Sequence, residues 1–203
     1  MKPMRHHFFF ICLGLIALCL TACSHPPCDK YLKHPPYVPQ EKLIKLKKPI
    51  NVVQRREYDI CLLQREGVQV IRLGQTWKLV FPSDDLFDND TAEINNHYKP
   101  VLYVAVDFMR TYSKISVKVA SFSNKIENDV MTKFGTVTDE LTTRQADAVL
   151  KYFTSQHIYA RLIYAEGEGG RHAVAWNGSA DGRRFNRRVE VSFKYYRDNR
   201  AWY

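Results

Sequence analysis

The sequence has no apolar run long enough to cross a membrane. Its longest apolar stretch, "FFFICLGLIALCL", extends from Phe8 to Leu20, whereas a membrane-spanning helix needs about 20 apolar residues. Lys2 and Arg5 precede this stretch, and the combination is typical of a secretory signal peptide. We therefore expect the mature chain to leave the cytoplasm, which argues against nucleic acid as a partner in spite of the net charge of +9.

The sequence also lacks the residue patterns of an active site. His97, His157 and His172 are scattered and do not have the spacing of metal ligands. Residues 170 to 182 contain no Gly-x-Ser-x-Gly nucleophile motif, and "EGEGG" at residues 166 to 170 lacks the frame of a nucleotide-binding loop. We predict a protein that is not an enzyme, with no metal and no cofactor other than a covalent lipid.

The residues that end the signal, "LTAC" from Leu20 to Cys23, resemble the lipobox of bacterial lipoproteins. The resemblance implies that residues 1 to 22 are removed and that Cys23 is acylated. Lipoproteins of the inner membrane often carry Asp at the next position, so Ser24 implies an anchor in the outer membrane, with the domain facing the periplasm. The alternative is an ordinary cleaved signal in which Cys23 has no role.

Cysteine is scarce, with five in the chain and three after cleavage, Cys23, Cys28 and Cys61. If Cys23 is acylated, Cys28 and Cys61 can form a disulfide in the oxidising periplasm. Cys61 is equally compatible with a small buried residue in an apolar strand. Both interpretations of Cys61 stay open.

Most of the prolines precede the first apolar run of the mature chain. Six of the nine occur in residues 24 to 50: Pro26, Pro27, Pro35, Pro36, Pro39 and Pro49. Pro-rich chain is extended and semi-rigid, so residues 23 to 57 are predicted to form a lipidated tether. The same segment could also become ordered on a partner as a docking strip.

Alternating and helical patterns follow the tether. Residues 58 to 74 contain short apolar runs and are predicted as a β-rich lead-in. One amphipathic helix is predicted to begin near residues 97 to 99, because Pro100 fits only at a helix start. A second is predicted to begin after Thr142, with Gln145 as its capping-box partner.

Three strands separate and follow these helices, "ISVKVASF", "ARLIYAEG" and "VEVSFKY". The resulting order, β-α-β-α-β-β, predicts an α/β (α+β) sandwich with the helices packed on one face of a mixed sheet. The last residues, 197 to 203, are predicted to form an aromatic and basic tail.

Several segments carry a resemblance to a known family. They are "LVFPSDDLFDNDTAEI", "LTTRQADAVLKYFTSQHI" and "GRRFNRRVEVSF", with "ISVKVASFSN" in the place of a strand that ends in Gly-His-Thr-Asp. Over residues 75 to 196 the chain resembles the OmpA-like domain, a peptidoglycan-associating module of outer-membrane proteins and lipoproteins. In that family an Asp and an Arg bind the diaminopimelate residue of peptidoglycan, because its ammonium and carboxylate groups match one acid and one guanidinium.

The two charged positions of the family are altered in this chain. Asn124 stands where the family has the Asp, and Gln145 stands where it has the Arg. Arg144 precedes by one residue the position at which the family has its Arg. One residue on a helix is a rotation of about 100°, so Arg144 is expected to point toward solvent. The candidate pocket positions are therefore Asn124, Gln145, Arg144, Arg187 and Arg188, and peptidoglycan is a doubtful ligand because neutral amides form weaker hydrogen bonds than charged groups.

Two functions remain open. The size, lipobox, tether and altered pocket are similar to those of outer-membrane lipoproteins of the Dot/Icm type IVB secretion system, which implies a structural role in protein transport with other envelope proteins as partners. The alternative is an anchor that links the outer membrane to the cell wall. Co-sedimentation with purified cell-wall sacculi distinguishes the two.

Overall fold

A computed structural model describes residues 51–88, 91–124, 129–133 and 135–196. The predicted signal peptide, Cys23, Cys28, most of the tether and the tail at residues 197 to 203 lie outside the described residues. The predictions made for those segments are therefore not tested by the structure.

The centre of the fold is a five-stranded sheet with the strand order β1-β2-β7-β3-β6. Its strands are β1 (Gln69–Leu73), β2 (Thr76–Pro82), β3 (Lys114–Phe122), β6 (Ile163–Gly167) and β7 (Arg188–Tyr195). Neighbouring strands are antiparallel except for β3 and β6, which are parallel. A separate small hairpin consists of β4 (Met131–Thr132) and β5 (Gly135–Thr136).

Helices cover one face of this sheet. They are α1 (Val52–Arg65), α2 (Ser83–Leu86), α3 (Lys99–Arg110), α4 (Val137–Ser155) and α5 (Ala180–Asn186), with a short 3-10 helix at Ala160–Leu162. The core lies between α3, α4 and the inward side chains of the sheet, such as Leu79, Val119 and Val191, which are fully buried. The predicted fold class, with helices on a mixed sheet, is confirmed.

The side chains on the opposite face of the sheet are largely polar. Lys78 and Glu190 form an ion pair across neighbouring strands, and Lys118 pairs with Glu166. This alternation between apolar inward positions and polar outward positions is the pattern expected of a sheet with one solvated face.

The predicted β-rich lead-in is wrong at its start, because residues 52 to 65 form helix α1. The side chain of Asn51 caps the helix by accepting a hydrogen bond of 2.8 Å from the backbone N–H of Gln54. No Gly or Pro interrupts the segment, and Leu62 and Leu63 become buried. Only the second part of the lead-in forms a predicted strand, β1, so the folded domain begins inside the predicted tether.

Helix α1 also changes the interpretation of Cys61. This residue lies on a helix rather than in an apolar strand and is half-buried. Cys61 is disulfide-bonded, and its partner lies outside the described residues. The pairing with Cys28 therefore stays a prediction.

The start of the second predicted helix is also corrected. Helix α4 begins one turn and a half earlier, with Thr136 as its N-cap and Asp139 as the reciprocal capping-box residue. Thr142 instead lies inside the helix, where its hydroxyl donates to the carbonyl oxygen of Thr138 at 3.0 Å. Helix α3 begins at Lys99, next to Pro100, as predicted.

A buried carboxyl group lies between α1 and α3. Asp59 is only 3% exposed, and its Oδ2 atom makes no hydrogen bond within the described residues. Burial first, and then the nearby Asp107 carboxylate, raise the pKa of Asp59 to about 8, against the opposing effect of the Arg55 guanidinium. Arg55 itself pairs with Asp107 and so joins the two helices.

The raised pKa predicts that stability falls with increasing pH. Folded Asp59 keeps its proton up to about pH 8, whereas the unfolded carboxyl loses it near its ordinary pKa, so stability is lost between these two values. We expect Asp59→Asn to remove this loss and to be more stable than the wild type by about 1–3 kcal/mol at pH 8, with a smaller difference at pH 4. Chemical denaturation at both pH values tests this, and an equal difference at both would contradict it.

Candidate functional site

The register of three strands brings separate parts of the chain to one end of the sheet. Arg188, the first residue of β7, pairs with Pro82 at the end of β2 and with Phe122 at the end of β3. The residues just beyond these positions, Asp84 and Asn124, therefore lie beside Arg187, which precedes β7. We call this group of three side chains the Arg187 cluster and this end of the domain the cluster end.

Hydrogen bonds join the three side chains of the Arg187 cluster. The guanidinium of Arg187 donates from Nε and Nη2 to the two carboxylate oxygens of Asp84, each at 2.6 Å. Its Nη1 donates to Oδ1 of Asn124 over a longer distance of 3.4 Å. Arg187 and Asp84 are both partly exposed, so a bidentate, charge-assisted pair borders solvent at this end of the sheet.

Asp84 is a member of the cluster that the sequence analysis did not single out. It lies in α2, the short helix that directly follows β2. The contact of Asp84 with Arg187 can be inferred only from the pairing register of β2 and β7, because more than a hundred residues separate the two along the chain.

Gln145 lies in the interior and does not face solvent. Its side chain is 5% exposed. Its Oε1 accepts a hydrogen bond of 2.9 Å from the hydroxyl of Ser121, and its Nε2 donates at 2.9 Å to the carbonyl oxygen of Thr91. The amide thus connects α4 to strand β3 and to the loop before α3, and both of its ends are used inside the protein.

The remaining candidate positions, Arg144 and Arg188, have different environments and neither belongs to the Arg187 cluster. Arg144 is exposed on α4, as its helical position predicts. Arg188 is buried: its Nε donates to Glu190 at 2.8 Å, and its guanidinium lies 4.0 Å from the centre of the Phe122 ring. The two neighbouring arginines therefore have different roles: Arg188 stabilises the sheet, and only Arg187 belongs to the cluster.

A loop anchored by Asn186 precedes the cluster. Oδ1 of Asn186 accepts hydrogen bonds from the backbone N–H groups of Val174 and Ala175, at 2.8 and 3.0 Å, and its Nδ2 donates to the carbonyl oxygen of Ala175. These bonds hold the loop against the end of α5, one residue before Arg187. They explain why a buried Asn stands at this position.

Trp176 lies on this loop with most of its surface exposed. Its side chain is 78% exposed. Its ring lies directly on Gly178, where a Cβ atom would approach Cζ2 of the ring to 2.1 Å. Gly178 therefore leaves the space that the Trp176 ring occupies.

The described part of the chain contains no group of three or more His, Cys, Asp or Glu side chains placed to bind a metal ion. Among the same residues, no helix combines the length and the apolarity that crossing a bilayer requires.

Comparison with known proteins gives a family match over half of the chain. Residues 86–187 match the OmpA family. The chain is 27% identical over 126 residues to "Probable lipoprotein YiaD" of Escherichia coli, covering 62% of this chain and 55% of that protein. It is 34% identical over 110 residues to outer membrane porin F of Pseudomonas fluorescens, covering 54% of this chain and 32% of the porin. The chain therefore spans about half or less of the length of these relatives.

Solved structures share the fold at lower identity. The cell wall anchor of the type VI secretion system from Pseudomonas aeruginosa is 24% identical with a TM-score of 0.60, and the match covers 72% of this chain and 98% of that one. The periplasmic domain of Helicobacter pylori MotB is 24% identical with a TM-score of 0.56, covering 66% and 83%. These likenesses identify the fold.

The internal hydrogen bonds of Gln145 predict a structural role. We expect Gln145→Ala to lower the free energy of unfolding by about 1–3 kcal/mol, because it leaves the Thr91 carbonyl and the Ser121 hydroxyl without their partner. The matched control is Arg144→Ala on the adjacent exposed position, which should change stability by less than about 0.5 kcal/mol. Urea denaturation measures both free energies of unfolding. Equal effects of the two substitutions would rule out a structural role for the hydrogen bonds of Gln145.

Proposed function

Because the chain belongs to the OmpA family, we propose that its domain binds peptidoglycan and, with a lipid on Cys23, anchors the outer membrane to the cell wall. The observation that carries this proposal is the Arg187 cluster, a partly exposed acid and guanidinium at one end of the sheet. The shared fold with a protein described as a cell wall anchor supports it. The lipoprotein and outer-membrane relatives support the predicted location at the outer membrane.

The cluster has the chemistry that a diaminopimelate residue requires. Asn124 and Gln145 have replaced the two charged residues of the family, yet Asp84 and Arg187 supply one carboxylate and one guanidinium beside Asn124. We propose that Arg187 binds the carboxylate of the ligand and that Asp84 binds its ammonium group, while the amide of Asn124 adds a neutral hydrogen bond. The five N–H donors of an arginine allow it to keep one acid partner while it binds a second.

The second candidate is a structural component of an envelope-spanning secretion complex, with other envelope proteins as partners. The observation in its favour is Gln145, whose amide is used inside the protein and offers nothing to a ligand. A domain that has lost the family's guanidinium at this position is suited to assembly as well as to wall binding. The similarity to type IVB secretion lipoproteins remains a proposal.

Sacculus binding tests the anchor directly. The mature chain with Cys23→Ser should co-sediment with purified sacculi, and Arg187→Ala should weaken binding about 10- to 100-fold, since one charge-assisted interaction is lost. Arg184→Ala, an exposed arginine on the preceding helix, is the matched control and should bind as the parent does. If the parent chain stays in the supernatant, the anchor is ruled out and the assembly role is favoured.

Restoring the family's acid gives a second test of the same site. Asn124→Asp places a carboxylate beside Arg187 and Asp84, and we expect it to strengthen sacculus binding about tenfold, because a charged acceptor replaces a neutral one. Asn124→Leu, of similar size but without hydrogen-bonding groups, should weaken binding. A titration with a soluble muropeptide that contains diaminopimelate measures both, and unchanged affinity in both variants would place the binding site elsewhere.

A further inference from the structure

The end of the domain opposite the Arg187 cluster is formed by five segments that meet there. Arg56 at the start of α1 donates from Nε to the hydroxyl of Thr111 after α3, at 3.1 Å. Arg110 donates to the carbonyl oxygen of Gln156 after α4, at 2.7 Å. The backbone N–H of Tyr195 at the end of β7 donates to the carbonyl oxygen of Gln75 between β1 and β2, at 3.1 Å.

This end carries an excess of basic side chains. We call it the basic end, and its members are Arg56, Arg72, Arg110, Arg161 and Lys194. The acidic side chains of α1 and of the second half of α3 do not balance them: Asp107 pairs with Arg55, Asp59 is buried, and Glu57 alone adds a further acid on α1.

The cluster end has a different charge arrangement. Arg187 pairs with Asp84, Arg184 lies 3.5 Å from Asp85, and Arg171 lies 3.1 Å from Asp139. Without Lys2 and Arg5 of the signal the chain has 28 basic and 21 acidic residues, a net charge of +7. Most of this excess lies outside the domain, because residues 51 to 196 contain 20 basic and 18 acidic residues. Within that range the arginines at the cluster end have acidic partners, so the basic end is a local excess of positive charge.

Exposed apolar side chains accompany the basic ones. Val52 and Val53 begin α1, Leu73 ends β1, and Tyr196 follows β7, and all four are exposed. Basic groups next to Tyr and aliphatic side chains form a surface suited to the headgroup region of a membrane, where the cations meet phosphates and the apolar groups enter the boundary with the acyl chains.

The predicted lipid on Cys23 would keep the domain close to a membrane surface. Helix α1 starts at Val52 at the basic end, and Lys42, Lys45, Lys47 and Lys48 precede this helix in the sequence. Basic residues close to a lipid anchor add to its hold on an anionic surface.

We infer that the basic end docks on the anionic phospholipid headgroups of the membrane to which the chain is tethered. The domain then stands with the Arg187 cluster pointing away from the lipid. This orientation rests on the proposed function, whereas the lipid contact itself does not depend on peptidoglycan.

Vesicle binding without the covalent lipid tests the inference. The mature chain with Cys23→Ser is mixed with vesicles of equal parts phosphatidylglycerol and phosphatidylcholine, or of phosphatidylcholine alone, and sedimented. We expect binding to the anionic vesicles only, with an affinity that falls as salt is raised. Arg161→Glu combined with Lys194→Glu, both exposed at the basic end, should weaken this binding at least about tenfold.

The matched control makes the same change of charge at the other end. Lys99→Glu combined with Arg184→Glu, both exposed, should keep binding within about threefold of the parent, because these residues lie far from the lipid. Equal losses in the two double variants would show that only net charge matters and would overturn the inference. Absence of vesicle binding by the folded parent chain would overturn it as well and would point to an acidic protein as the partner.

The sacculus assay separates this inference from the proposed function. The Arg161→Glu, Lys194→Glu variant should co-sediment with sacculi as its parent does, which also shows that it is folded. Vesicle binding without sacculus binding would remove the anchor and leave the membrane contact in place. Sacculus binding without vesicle binding would remove the membrane contact and leave the anchor in place.

Discussion

The pairing of β7 with both β2 and β3 is the constraint on which the rest of the molecule depends. These three strands come from distant parts of the chain, and their common register at Arg188 aligns the ends of β2 and β3 with the start of β7. The same alignment places inward side chains such as Phe81, Val119 and Val191 in one core under the helices. Since a register shift of one residue would exchange the two faces of a strand, the core and the Arg187 cluster are specified together.

Gln145 and the Arg187 cluster differ in where they place their polar groups. Gln145, which the family resemblance aligns with an Arg, forms two neutral hydrogen bonds inside the protein and costs no charge burial. An acid and a guanidinium are nevertheless present nearby, on α2 and before β7. Under the proposed function, these elements at the same end of the sheet would supply the charges for a zwitterionic ligand.

Sequence reasoning recovered the elements with strong periodicity. Helix α3, with its buried stripe and Pro100 at the start, and the strands around it followed from local patterns and from the family resemblance. Helix α1 was missed, because its apolar residues are few and a short apolar run suits a strand as well as a helix. The start of α4 was misplaced because Thr136 and Thr142 both resemble a cap, and only the backbone decides between them.

The candidate site was predicted only in part for a related reason. Arg187 and Asn124 could be named from motif positions, but their contact with Asp84 depends on strand register, which a linear pattern does not contain. The internal partners of Gln145 and the exposure of Trp176 depend likewise on how distant loops pack. Burial and partner choice are properties of the assembled sheet, so single-residue patterns cannot supply them.

The antiparallel arrangement of α1 and α3 has a mechanical consequence. Helix α1 starts at one end of the strands, and Arg187 lies at the other. A pull between these two points runs along the strand direction, so the hydrogen bonds between β2, β7 and β3 resist in parallel as a sheared set instead of opening one after another.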